Sequence, residues 1–125
     1  MAHKILLVED EIIMAKMYED KFKEAGFDVV LALTIEEGLK MAREERPDLI
    51  ILDILLPTEN GITFLERMRK DPKIAKIPVV ALSNYDEPRT KKEAYDLGIK
   101  DYLIKTEFTP KALVAEIKKY LPGER

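Results

Sequence analysis

The sequence predicts an α/β domain in which a parallel five-stranded sheet is covered by helices on both faces. Apolar runs of strand length alternate along the chain with segments of helical spacing. The runs are nearly continuous, which is typical of strands buried on both faces of a parallel sheet. With 125 residues, 46% of them hydrophobic, the chain can build one packed core but is too short for two ordinary domains. We therefore expect a single domain over residues 1–125.

The predicted strands are five apolar runs, each bounded by charged or turn residues. They cover residues 5–8, 29–32, 49–52, 79–82 and 102–104. Because parallel strands need long crossover connections, the segments between them should hold the helices.

Four of the connecting segments place apolar side chains on one helical face. The rows are Met14, Met17, Tyr18, Phe22 and Ala25; Ile35, Leu39 and Ala42; Ile62, Leu65 and Met68; and Leu113, Ile117, Tyr120 and Leu121. Residues 88–97 have little apolar content beyond Ala94, Tyr95 and Leu97. We expect a weakly anchored helix there.

Capping residues agree with these helices. Thr34 with Glu37 forms a capping-box pattern, Thr109 precedes Pro110, and Gly26 and Gly98 stand where helices should end. Residues 67–78, RMRKDPKIAKIP, are interpreted as an exposed helix end and loop that carry a loose basic patch.

Composition excludes several classes of function. The chain has 21 Lys and Arg against 24 Asp and Glu, for a net charge of −3, and the basic residues are scattered, so we expect no direct nucleic-acid partner. The absence of Cys excludes disulfides and thiolate chemistry. In the start MAHKILLVEDE, acids follow a short apolar run, which resembles neither a signal peptide nor a membrane span. We predict a cytoplasmic protein with no membrane partner.

Polar side chains follow four of the five predicted strands. Glu9, Asp10 and Glu11 follow the first, Asp53 the third, Ser83 and Asn84 the fourth, and Lys105 the fifth. The carboxyl ends of parallel strands share one edge of the sheet, where ligands of open α/β sheets bind. Clustered carboxylates repel one another, and a hard divalent cation such as Mg²⁺ relieves that repulsion. The pattern thus predicts a metal site at this edge.

An aspartate beside such a cation can act as a nucleophile toward phosphorus, because carboxylates form acyl phosphates. Asp53 is then the phosphate acceptor, while Lys105 and Ser83 hold the other phosphoryl oxygens. Simpler interpretations stay open at this point. Asp10 or Glu11 could cap a helix, Asp53 could begin a turn, Ser83 could be a cap and Lys105 a solvated cation.

Four motifs in order resemble the receiver domain of two-component response regulators. They are ILLVEDE, LIILDILLPTENG, PVVALSN and DYLIK, and the similarity spans nearly the whole chain. The resemblance implies a flavodoxin-like (βα)5 sandwich of three layers with strand order 2-1-3-4-5.

The resemblance also implies a role for each matching residue. Asp53 would receive phosphate from a sensor histidine kinase or a histidine phosphotransfer protein. Asp10, Asp53 and the Leu55 carbonyl would bind Mg²⁺ or Mn²⁺, with Glu9 acting directly or through water. Ser83 and Lys105 would contact the phosphoryl group, and Ser83 with Tyr102 would form the switch.

The implied role is signalling rather than metabolic catalysis. The domain would promote its own phosphorylation and dephosphorylation, and would present the fourth helix, fifth strand and fifth helix to a downstream protein. We expect a monomer or a weak dimer.

Two residues depart from the family pattern. Asn84 stands where the family has a small residue, and Thr106 stands where the family has a proline after the lysine. A cis bond before a residue other than proline costs about 2.5–4 kcal/mol, so we expect a trans bond between Lys105 and Thr106.

Two alternative functions use the same features. A haloacid-dehalogenase-like phosphatase shares the aspartyl-phosphate chemistry, but it needs a second aspartate where this chain has Leu55. A degenerate receiver that only binds proteins is the other alternative, and the full set of Asp10, Asp53, Ser83 and Lys105 argues against it.

Overall fold

The computed structural model describes residues 2–54 and 60–123, in which strands and helices alternate as predicted. The strands are β1 (Lys4–Val8), β2 (Asp28–Ala32), β3 (Leu49–Asp53), β4 (Val79–Ser83) and β5 (Asp101–Ile104). The helices are α1 (Ile12–Glu24), α2 (Ile35–Glu45), α3 (Gly61–Arg69), α4 (Pro88–Asp96) and α5 (Pro110–Ile117). Short 3-10 turns follow β5 at Lys105–Glu107 and α5 at Lys118–Tyr120.

The five strands form one parallel sheet in the order β2-β1-β3-β4-β5. This is the flavodoxin-like order that the sequence motifs implied. The register pairs Val8 with Leu52 and Ser83 with Ile104. The carboxyl ends of β1, β3, β4 and β5 therefore lie side by side.

Alternate residues of each strand enter two separate hydrophobic clusters, one on each face of the sheet. Leu6, Ile50 and Ala81 pack with α2, α3 and α4. Their strand neighbours Ile5, Ile51 and Val80 pack with α1 and α5. Both faces are thus buried, which explains why the strands are continuous apolar runs.

The helix boundaries follow the predicted caps. The Thr34 hydroxyl accepts a hydrogen bond from the Glu37 N–H, and the Thr109 hydroxyl accepts one from the Ala112 N–H. Gly26 and Gly98 follow α1 and α4 with positive φ of 96° and 89°. At both positions the next amide reaches back to the carbonyl five residues earlier, as in a Schellman motif.

The observed elements differ from the predicted ones mainly at their ends. Asp53 and Ser83 are the last residues of their strands rather than the first residues beyond them. Helix α5 stops at Ile117, so Tyr120 lies in the 3-10 turn. Ala94 is the one buried residue of α4, which confirms the expected weak anchoring.

Gly61 ties the start of α3 to the end of β3. Its N–H donates to the Ile54 carbonyl at 2.8 Å. A Cβ at Gly61 would lie 2.8 Å from the Ile54 Cα, so only glycine permits this approach. The contact holds the start of α3 against Ile54, the residue that follows Asp53.

Candidate functional site

The predicted site residues meet at the carboxyl edge of the sheet. Glu9 and Asp10 follow β1, Asp53 and Ser83 end β3 and β4, and Lys105 follows β5. Glu9, Asp53, Ser83 and Lys105 are all buried, with exposed fractions of 1%, 5%, 0% and 6%. Since isolated polar groups are costly to bury, each needs partners within the site.

Lys105 joins two carboxylates from different strands. Its Nζ donates to Glu9 Oε1 at 2.7 Å and to Asp53 Oδ2 at 3.0 Å. The Glu9 carboxylate also accepts the Glu11 N–H through Oε2 at 3.2 Å. The ammonium thus orients both carboxylates across the edge of the sheet.

Burial and crowding oppose ionisation of the acids that follow β1. Burial raises the pKa of Glu9, the neighbouring Asp53 raises it further, and Lys105 only partly opposes this rise. The pKa of Asp10 is also raised, by burial and then by the charge of Glu9. Burial alone lowers the pKa of Lys105, but Glu9 and Asp53 together outweigh it and raise that pKa. The site has an excess of negative charge that one ammonium does not balance.

The carboxylates have the geometry of a cation site. Glu9, Asp10 and Asp53 each offer an oxygen within 4.8 Å of the other two. Hard divalent cations take such oxygen ligands and would relieve the repulsion between these carboxylates. The predicted fourth ligand, the Leu55 carbonyl, lies outside the described residues.

The capping interpretation is wrong for Glu11. Glu11 is the N-cap of α1, but its side chain makes no capping hydrogen bond. The side chain that accepts a backbone N–H at this helix start belongs to Glu9.

Ser83 connects the acid cluster to the loop that precedes α4. Its Oγ accepts the Tyr85 N–H at 3.2 Å, which leaves the hydroxyl proton to donate elsewhere. Tyr102 is 5% exposed, and its hydroxyl donates to the Tyr85 carbonyl at 3.3 Å. The structure therefore has Tyr102 in a buried arrangement, in contact with the loop that follows Ser83.

The two departures from the family pattern lie at the rim. The bond between Lys105 and Thr106 is trans, as predicted. Lys105 begins a 3-10 turn, which Thr106 continues as an exposed residue. Asn84 is also exposed.

Sequence reasoning missed two apolar residues beside the site. Ile12 and Ile13, in the first turn of α1, are 54% and 81% exposed. The signal in the sequence was their position, since both residues directly follow the acids of the predicted site. Exposed large apolar side chains beside a polar site are typical of a protein contact.

Comparison with models of protein families identifies the family of this chain. The model of the response regulator receiver domain matches residues 5–118. The chain is a member of the response regulator receiver domain family. It is thus a receiver domain of two-component signalling systems.

Known proteins with this receiver domain include transcriptional regulators. The chain is 36% identical over 121 residues to the alkaline phosphatase synthesis transcriptional regulatory protein PhoP of Bacillus subtilis, covering 97% of this chain and 49% of that protein. It is 36% identical over 118 residues to the phosphate regulon transcriptional regulatory protein PhoB of Escherichia coli, covering 94% and 51%. The receiver domain thus spans about half the length of these curated relatives.

A solved receiver structure matches along its full length. The chemotaxis protein CheY4 of Vibrio cholerae superposes with a TM-score of 0.89 at 28% identity, covering 97% of this chain and 100% of that chain. Among the helices of the described residues, none is both long and apolar enough to cross a membrane.

Proposed function

We propose that Asp53 of this receiver domain accepts a phosphoryl group and that Lys105 and Ser83 hold the group in place. The observation that carries the proposal is the bridge from Lys105 Nζ to both Glu9 and Asp53 inside a cluster of three carboxylates. Such an ammonium lies within reach of any group that becomes attached to Asp53.

The proposed transfer forms one bond to phosphorus and breaks another. An oxygen of Asp53 forms a bond to phosphorus, and the bond from phosphorus to the imidazole nitrogen of a donor phosphohistidine breaks. The bonding electron pair leaves with the imidazole, which takes a proton. Lys105 and the Ser83 hydroxyl donate to the phosphoryl oxygens, over which the negative charge is spread during the transfer.

Mg²⁺ or Mn²⁺ is the cofactor that the carboxylates fit. Asp10 and Asp53 would hold the cation, with Glu9 directly or through water and with the Leu55 carbonyl, as the family resemblance implies. When bound, the cation supplies positive charge that lowers the repulsion between Asp53 and the phosphoryl oxygens.

The proposed donor is a sensor histidine kinase or a histidine phosphotransfer protein. Its phosphohistidine must come within bonding distance of Asp53, so its surface must cover the carboxyl edge of the sheet. Ile12 and Ile13 border that edge and offer exposed apolar area for the contact. The cytoplasmic location predicted from the sequence stays a prediction.

The proposed output passes through Ser83 and Tyr102. A phosphoryl group adds about two negative charges, which attract the Ser83 hydroxyl and the loop at residues 84–87 that follows it. Tyr102 contacts that loop through its hydrogen bond to Tyr85. The shift would move that loop and change the face formed by α4, β5 and α5, where a downstream protein binds.

The proposal is tested by intact mass after incubation with acetyl phosphate and Mg²⁺. We expect the wild type to gain one phosphoryl group and Asp53→Asn to gain none. Glu11→Gln is the matched control, because it removes an exposed carboxylate beside the site that lies outside the carboxylate cluster. An unmodified wild type would favour a protein-binding module, and turnover of many phosphate esters would favour a phosphatase.

Metal binding is tested separately by calorimetric titration with Mg²⁺. Asp10→Ala should weaken binding without unfolding the protein, because removing one crowded acid relieves repulsion. Since the pKa values of Glu9 and Asp10 are raised, protons should compete with Mg²⁺ and weaken its binding as the pH falls toward those raised values. Unchanged affinity in Asp10→Ala would remove Asp10 from the ligand set.

A further inference from the structure

Arg69, the last residue of α3, connects three separate segments of the chain. Its Nε donates to the Leu97 carbonyl at 2.7 Å, and its Nη2 donates to the Gly98 carbonyl at 3.2 Å. Its Nη1 donates to the carbonyls of Ala75 and Ile77. The interpretation of residues 67–78 as an exposed, loosely basic helix end is therefore wrong for Arg69, which is half-buried.

The contacts of Arg69 are all to backbone carbonyls. Within residues 2–54 and 60–123, no carboxylate forms an ion pair with its guanidinium, and burial lowers the pKa of Arg69. A guanidinium has five N–H groups in a fixed planar fork, whereas a lysine ammonium is a compact point donor. The contacts of Arg69 therefore depend on the planar arrangement of its N–H donors and not on its positive charge alone.

The Leu97 and Gly98 carbonyls lie at the carboxyl end of α4. Leu97 is the C-cap, and Gly98 has the left-handed conformation of the Schellman turn, in which the Ile99 amide bonds to Ala94. Arg69 therefore holds the end of α4 to the end of α3, a helix with five buried residues.

The amino end of α4 has weaker attachments. Lys91 pairs with the exposed Asp86 at 3.5 Å, and its Nζ lies 5.9 Å from the centre of the Tyr102 ring. This end follows the loop between Ser83 and Glu87, where the proposed signal begins. Exposed ion pairs of this kind contribute little to stability.

We propose that Arg69 is a positioning residue that fixes the carboxyl end of α4, so that a displacement beginning at Ser83 turns the helix about that end. The source of the displacement rests on the proposed function, but the anchor itself does not. The movement is then largest at residues 89–91 and smallest at residues 97–99, and the downstream face changes mainly at its edge nearest Asp53.

The anchor is tested by amide hydrogen exchange of the protein without any phosphodonor. In Arg69→Met, the amides of residues 97–99 should exchange about tenfold faster or more, because several hydrogen bonds from a charged donor are lost. Arg67→Met is the matched control on the same helix, because Arg67 pairs with the exposed Glu36, and it should leave those amides unchanged. Arg69→Lys should protect these amides from exchange little better than Arg69→Met does, because an ammonium lacks the planar set of donors. Full protection in either Arg69 variant would overturn the anchor.

The turning movement is tested by NMR with beryllofluoride as the phosphoryl mimic. In the wild type, shifts should change at residues 89–91 and stay nearly constant at residues 97–99, and in Arg69→Met the changes should reach residues 97–99. Equal changes at both ends of α4 in the wild type would overturn the proposal, and this result does not depend on a variant that folds. No response around Asp53 would instead overturn the proposed function, while the exchange experiment still decides the anchor.

Discussion

Helices α3 and α4 are each nine residues long and pack on the same face of the sheet, but different forces hold them there. Helix α3 buries Gly61, Ile62, Phe64, Leu65 and Met68. Helix α4 buries Ala94 alone and relies on polar contacts at its ends. Apolar burial fixes one position, whereas the exposed polar contacts at the amino end of α4 can be exchanged at low cost. The difference separates the helix that supports the site from the helix that can carry a signal.

The largest effect is expected when a buried apolar residue of α3 is replaced. Phe64 is fully buried, so Phe64→Ala should lower the free energy of unfolding by about 3–5 kcal/mol through lost burial and a cavity. Tyr95, the large aromatic residue of α4, is 41% exposed, and Tyr95→Ala should cost within about 1 kcal/mol. Urea unfolding followed by circular dichroism measures both. Similar losses in the two variants would show that the helices are equally anchored.

A smaller effect is expected at the one apolar anchor of α4. Ala94 is fully buried, so Ala94→Leu adds volume to a packed core and should cost about 1–3 kcal/mol. The same change at Ala112, an exposed residue of α5, should alter stability by about 0.5 kcal/mol or less. If thermal unfolding shows that both variants are equally stable, α4 has no apolar anchor.

The smallest effect concerns a polar attachment of α4. The Asp101 carboxylate accepts hydrogen bonds from Tyr95 of α4, at 3.3 Å, and from Tyr120. Burial and then Asp101 raise the pKa of Tyr120 above its ordinary value, so the neutral phenol is favoured in the folded protein. The neutral phenol of Tyr120 therefore adds to the free energy of unfolding. This added stability is complete below the ordinary tyrosine pKa of about 10, and it is lost as the pH rises through the raised pKa of Tyr120.

Tyr120→Phe tests the hydrogen bond that Tyr120 donates to Asp101, the residue that also holds Tyr95 of α4. It should cost about 1 kcal/mol near neutral pH, and the gap to the wild type should shrink as the pH rises above about 10. The measurement is urea unfolding at a series of pH values. Tyr85→Phe is the control, because Tyr85 is 68% exposed, and its free energy of unfolding should change with pH in the same way as that of the wild type. A gap for Tyr120→Phe that does not depend on pH would exclude the phenol as its cause.

Much of this contrast could be predicted from the sequence, because it depends on local composition. The apolar row of α3 and the sparse apolar content of residues 88–97 are both visible in the printed sequence. The meeting of Glu9, Asp53, Ser83 and Lys105 at one edge could also be predicted, since parallel strands end together.

Specific side-chain partners could not be predicted in the same way. Lys105 and Glu9 are 96 residues apart in the chain, and Arg69 and Leu97 are 28 apart. Periodicity shows which face a residue occupies, but not which distant carbonyl or carboxylate lies opposite. Arg69 in a run of cations is typical of a solvated surface, and only the packing of α3 beside α4 shows that its donors meet backbone carbonyls.

The bridge made by Lys105 has a thermodynamic consequence. The three carboxylates exceed the one ammonium by two negative charges, and the proposed phosphorylation replaces one charge on Asp53 by about two. A divalent cation should therefore bind the phosphorylated domain more tightly than the free one. Coupling between two binding events is reciprocal, so the same cation must favour the phosphorylated form by the same factor. On the proposed chemistry, the Mg²⁺ concentration sets part of the balance between the two forms of this domain.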